Sequence, residues 1–171
     1  IGVPACPGGI MAKNAFWRRS FSEWKSVLDS WLTKPLAENI LNASMFFDLR
    51  TIYGDAELGR NLKEYMVEHL RNEKVFLAHS AANVNRFKPP LGLFGGIKVE
   101  HNEEHRGQID IKKAGIFAIT EGLKALAMEA GIMECGTLER AKILHDMNVL
   151  QQKFAEDLDA TYNFLVVLRL R

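Results

Sequence analysis

Apolar residues recur at steps of three and four along most of the chain. Between positions 17 and 32 they fall at Trp17, Phe21, Trp24, Val27, Leu28, Trp31 and Leu32, which is one stripe of a helix. Ser20 and Ser22 are candidate caps, and Pro35 ends the run. Positions 37–47 form a second helical run through Ile40, Leu41, Ala43 and Phe47. Gly54-Asp55 then reads as a stop followed by a new N-cap. A third helix follows at 56–71, with Leu58, Leu62, Tyr65, Met66, His69 and Leu70 on one face. Asn72 interrupts it, and 75–85 predicts a fourth. Three more patterns close the chain: 114–130 with Gly131 at its end, a helix capped by Thr137, and 151–170 carrying Phe154, Leu158, Tyr162, Leu165 and Leu168.

Residues 87–111 differ. Pro89-Pro90, Gly92 and Gly95-Gly96 punctuate the segment, and 97–100 and 107–111 alternate apolar with polar across a polar turn. That pattern predicts a β-hairpin. The expected fold is therefore all-α, an antiparallel helical bundle with a β-hairpin insertion near 97–111. Residues 1–15, rich in Gly and Pro, read as a connector, and 16–171 as the helical domain.

The 171 residues suffice for one core, burying about 70% of the unfolded chain's surface. Lys plus Arg is 22 and Asp plus Glu is 21, so no basic excess exists to neutralise a nucleic-acid backbone. Two distant cysteines, Cys6 and Cys135, exclude a disulfide scaffold and fit a reducing cytoplasm. Neither has a His-based activation pattern, so both read as inert. No apolar run of about 18 residues predicts a membrane span. The start, Ile1-Gly2-Val3-Pro4, has neither Met nor the order of a signal peptide, and reads as a piece of a longer protein.

No Gly-rich phosphate loop and no nucleophile elbow occurs. His101-Asn102-Glu103-Glu104-His105 is not HExxH and falls in a turn, so it reads as solvated; no metal site is expected in this chain. Three constellations remain. The first is Phe46-Phe47-Asp48-Leu49-Arg50-Thr51-Ile52-Tyr53-Gly54-Asp55, where charge follows two aromatics at a helix end. Asp48 and Arg50 either pair to fix the junction or line a groove, with Arg50 as a fork for phosphate or carboxylate and Asp48 for a metal or a hydroxyl. The second is Asp110 with Lys112, on one face of the expected strand. The third is Thr137-Leu138-Glu139-Arg140, otherwise an ordinary helix start.

Taken in order, these pieces resemble one family. Cys6-x-Gly8-x-x-Met11-Ala12, the helix of Trp17, Trp24 and Trp31, then Phe47-Asp48-x-Arg50-x-x-Tyr53-Gly54-Asp55 begin the match. Asp110-x-Lys112, Thr137-x-Glu139-Arg140 and Leu168-Arg169-Leu170 continue it. The family is the nucleotidyltransferase substrate-binding domain of bacterial signal-transduction proteins, related to PII uridylyltransferases. The resemblance implies an upstream nucleotidyltransferase domain whose tail is residues 1–15, with CBS and cyclic-nucleotide-binding domains also upstream. It implies a cytoplasmic protein that binds a nucleotide or a protein acceptor, with Mg²⁺ and a nucleoside triphosphate held by the full-length protein and no cofactor by this chain. The chain itself carries no catalytic residue on this view. The implied substrate-binding residues are Asp48, Arg50, Tyr53, Asp55, Asp110, Lys112, Lys124 and Arg140. Lys124 departs from the pattern, since Lys124-Ala125-Leu126-Ala127 stands where the family has Arg-x-Leu-Ala, and a lysine lacks the bidentate fork. The other reading is a regulatory or oligomerisation module, a homodimer included, that relays the state of upstream sensor domains.

Overall fold

The computed structural model describes residues 2, 4, 7–86, 90–92, 96–101 and 103–170. Cys6, Pro89, Gly95, Asn102 and Arg171 therefore lie outside the described residues. Seven α-helices make up the described chain: α1 Phe21–Thr33, α2 Ala37–Phe47, α3 Ala56–Leu70, α4 Lys74–Val84, α5 Phe117–Ala130, α6 Thr137–Asp146 and α7 Gln152–Leu170. A 3₁₀ turn, Ala15–Trp17, precedes α1, and a π-helical turn, Lys112–Ile116, leads into α5.

The start of α1 follows from its sequence. Ser20 Oγ accepts from the Glu23 amide, and the Glu23 carboxylate accepts from the Ser20 amide at 2.8 Å, a reciprocal capping box. The Ser20 hydroxyl, then the Ser20 amide, pull the Glu23 carboxyl below its ordinary value of 4.5. A carboxyl with a lowered folded value contributes above the ordinary range and loses that contribution as pH falls through the folded value. Ser20→Ala is expected to cost about 1 kcal/mol. Urea melts at pH 7 and pH 3 check this, with the Ser20→Ala difference shrinking at pH 3.

The apolar stripes meet in one core. Leu28, Trp31 and Leu32 of α1, Phe46 and Phe47 of α2, and Leu62, Met66 and Leu70 of α3 are buried together with Phe76, Leu123, Met128 and Leu144. α1 packs on α2 and α3, α5 on α4 and α6, and α7 on α6 and the π-helical turn. Trp24 stacks on Phe46 with ring centroids 4.8 Å apart, joining α1 to α2. The Tyr65 hydroxyl donates to Asp29 at 2.8 Å, joining α3 to α1. Gly131 ends α5 in the left-handed region, φ 73°, where glycine carries no Cβ penalty. At Gly115 an added Cβ would lie 2.6 Å from Leu165 Cδ1, so the bare backbone lets α7 come close.

Three expectations fail. No β-hairpin forms among the described residues. An isolated bridge joins Leu91 to Ile97, and Glu100 exchanges hydrogen bonds with Gln108 and Gly107, which closes a turn and not a ladder. Asp110 accepts from the Lys113 amide at 3.0 Å, so the second alternating stretch turns into helix at Ile111. Two alternating pieces of four or five residues, with no third strand, are marginal as a sheet. Second, Thr137 is not the cap of α6; Gly136 holds that place, with no side-chain cap bond. Third, the stripe on α7 is only partly covered: Leu158 packs against the core, Tyr162 and Leu165 are half-buried, and Phe154 and Leu168 are exposed.

Candidate functional site

The end of α2 organises the charged residues. Phe47, its last residue, is fully buried, and Asp48 follows as the C-cap. Asp48 Oδ1 accepts from Arg140 Nη2 of α6 at 2.6 Å, and Oδ2 accepts from Lys124 Nζ of α5 at 2.7 Å. Arg140 is the largest fully buried side chain among the described residues at 2% exposure, and its Nε donates to the Glu134 carbonyl at 2.6 Å. Lys124 Nζ also donates to Glu121 Oε1 at 3.1 Å and to Ser44 Oγ at 3.4 Å, and Ser44 Oγ donates to Glu121 Oε2 at 3.1 Å. An ammonium has three donors, and these three acceptors use all of them. The Lys124 substitution noted in the sequence is thus absorbed by a closed network.

One face of the Asp48 carboxylate stays wet, at 37% side-chain exposure, while both cations are buried. Burial of two cations is costly unless each is paired, so Asp48 is the residue on which this corner depends. Asp48 does not pair with Arg50, correcting that alternative. Arg140, expected among the substrate-binding residues, is buried and engaged by Asp48 and the Glu134 carbonyl.

The rest of the motif serves other purposes. Arg50, Ile52, Tyr53 and Gly54 form a loop in solvent, with Ile52 80% and Tyr53 98% exposed. Gly54 takes φ 90°, and Asp55 caps α3 by accepting from the Glu57 amide at 2.9 Å. Asp110 caps the helical turn that leads to α5, and the Lys113 amide, ahead of the Lys113 side chain, holds its carboxyl below the usual range. It does not share a strand face with Lys112. Lys112 is exposed, its Nζ 4.9 Å from the centre of the Phe117 ring. The structure brings together Asp48, Lys124 and Arg140; among the described residues, no hydrogen bond or ion pair joins Arg50, Asp110 or Lys112 to them.

Sequence reasoning missed several members. Lys63 is buried, donates to Cys135 Sγ at 2.9 Å, and sits 5.4 Å from the Phe47 ring centre. A lysine between Leu62 and Met66 on the apolar stripe of α3 was the available signal. Glu121 stands one turn before Lys124, a spacing that pairs opposite charges on a helix. Beside the network lies a cavity of about 540 Å³ between α2, α4 and α5, walled by Ile40, Met45, Val84, Phe117 and Met128, with Lys124 and Glu121 on one side. No periodicity announced it.

Among the described residues no group of three His, Cys, Asp or Glu side chains could hold a metal ion, and His105 lies beside Glu104 in an exposed turn. The residues here do not fit a Mg²⁺–triphosphate centre, because both Asp48 oxygens are engaged by cations and one Asp110 oxygen caps a helix. No helix among the described residues is long and apolar enough to cross a membrane.

The family described as "Putative nucleotidyltransferase substrate binding domain" matches residues 74–171, more than half of the chain. The chain belongs to that family. A second description, "Putative nucleotidyltransferase", matches residues 1–38. The substrate binding domain match contains Asp110, Lys112, Lys124 and Arg140, while Asp48, Arg50, Tyr53 and Asp55 fall between the two matches. The first 38 residues include α1, which nevertheless packs into the same core as the substrate binding domain helices. No curated protein and no solved structure matches the chain.

Proposed function

We propose that this substrate binding domain is a non-catalytic helical module that presents a nucleotide or a protein acceptor to a nucleotidyltransferase catalytic domain. The observation that carries the reading is the loop from Arg50 to Gly54. It holds a guanidinium, an aliphatic side chain and an almost wholly exposed tyrosine in solvent, anchored on one side by the Asp48 network and on the other by the Asp55 cap. Large apolar side chains exposed beside a cation suit a contact surface, and a guanidinium suits phosphate. Lys112, exposed elsewhere on the surface, would add charge only if the bound group extends that far. The parent we propose is a cytoplasmic bacterial signal-transduction protein with CBS and cyclic-nucleotide-binding domains upstream, and its Mg²⁺ and nucleoside triphosphate would be held by the catalytic domain.

Two outcomes are expected. The chain alone turns over neither ATP nor UTP with Mg²⁺, since metal-assisted charge neutralisation needs carboxylates that are engaged here; measurable transfer by the chain would end the reading. In calorimetry on the full-length parent, Arg50→Ala weakens nucleotide or acceptor binding by about tenfold, the loss of one charged hydrogen bond. An unchanged affinity removes Arg50 from the site.

The dispersal of Asp110 and Lys112 from the Asp48 corner, and the internal pairing of Lys124 and Arg140, favour a second reading. In it the loop docks against a neighbouring domain and relays its state. Tyr53→Ala separates the two, because a docking loop loses domain association while nucleotide affinity of the catalytic domain stays the same.

A further inference from the structure

The cavity between α2, α4 and α5 has the size of a small-molecule site. Its charged side chains are already spoken for. Lys124 donates to Asp48, Glu121 and Ser44, and both Glu121 oxygens accept, one from Lys124 and one from Ser44. No unpaired charge of that network is left for a bound ion. The rest of the cavity is largely apolar, with Ile40, Met45, Val84, Phe117 and Met128 in its wall and Asn83 beside Val84. One polar atom there is unsatisfied: the Ser80 hydroxyl, on α4, is buried with no hydrogen-bond partner among the described residues. Buried hydroxyls nearly always have a partner, so a cavity wall carrying one without is a place for a ligand group. At the rim Glu38 and Arg86 are exposed and of opposite sign, so the entrance favours neither anion nor cation.

We propose that this cavity is a binding site for a neutral, largely apolar small molecule with one hydrogen-bonding group, which Ser80 would engage. A nucleotide fits the chemistry poorly, because its phosphates would meet a largely apolar space whose rim guanidinium, Arg86, is offset by the Glu38 carboxylate. The site is separate from the Arg50–Gly54 loop and does not rest on the function proposed for it. Because α5 carries both the cavity wall and Lys124, an occupant would bear on the helix that holds Asp48.

The test is titration of the whole chain with N-phenyl-1-naphthylamine, a neutral apolar fluorophore with one N–H. The expected result is saturable enhancement with one site per chain, unaffected by millimolar ATP. Ala125→Phe, which projects a ring from the cavity wall, is expected to weaken binding at least about tenfold, as lost pocket volume does. Val84→Phe, from the facing helix, gives the same result by an independent route, and circular dichroism identifies any variant that has lost its helices. Ser80→Ala weakens binding about threefold to tenfold, the worth of one neutral hydrogen bond. The proposal is overturned by the absence of saturable enhancement, by equal enhancement in the folded Ala125→Phe and Val84→Phe chains (binding to the outer surface), or by displacement with ATP.

Discussion

Asp48→Ala will destabilise the fold by about 3 kcal/mol, measured by urea denaturation at neutral pH. The variant leaves Arg140 buried with only the Glu134 carbonyl and the Phe47 ring for company. Removing one partner of a buried ion pair costs about 3–5 kcal/mol because the other charge is stranded. The low end applies, since Asp48 is 37% exposed on its side chain and Lys124 keeps Glu121 and Ser44. The reciprocal change is milder. Arg140→Met fills the same buried space with apolar atoms, and Asp48 retains Lys124 and water, so its cost should fall clearly below that of Asp48→Ala. A loss under about 1 kcal/mol for Asp48→Ala would mean that Arg140 finds solvent when released. High salt should change the wild-type contribution little, because buried pairs are poorly screened.

The second large effect belongs to the preceding residue. Phe47 is fully buried, and its ring centre lies 5.0 Å from the Arg140 guanidinium carbon and 5.4 Å from Lys63 Nζ. Phe47→Ala opens a cavity under both cations and is expected to cost about 4 kcal/mol. Phe47→Leu keeps most of the volume and loses the ring faces, so its cost should be about 1–2 kcal/mol. Chemical denaturation of the two variants separates packing from the cation contacts. The double variant of Phe47→Leu with Asp48→Ala should be non-additive, because both residues act on Arg140. Strict additivity would show that the ring does not interact with the guanidinium.

Much of the helical architecture was legible beforehand. The runs at 37–47 and 56–71 are α2 and α3 to within a residue, because 3.6-residue periodicity and the Asp55 cap are local signals. The expected hairpin was a misreading, since alternation over four or five residues does not by itself tell a strand from a loop feeding a helix. The Phe46–Asp55 motif was visible as a unit, but its residues divide by burial. Phe47 goes to the core, Asp48 to two cations, Arg50 and Tyr53 to solvent, and Asp55 to a cap.

What the sequence alone determined is the set of helices and the caps at Ser20 and Asp55, because these depend on neighbours within about one turn. Only the tertiary structure decided which charges meet. Asp48 reaches Lys124 and Arg140 across 76 and 92 positions of chain, a juxtaposition set by how α2, α5 and α6 pack. The same packing left the cavity and the unpartnered Ser80 hydroxyl, and it made Lys124 and Arg140, both expected among the substrate-binding residues, buried partners of one carboxylate.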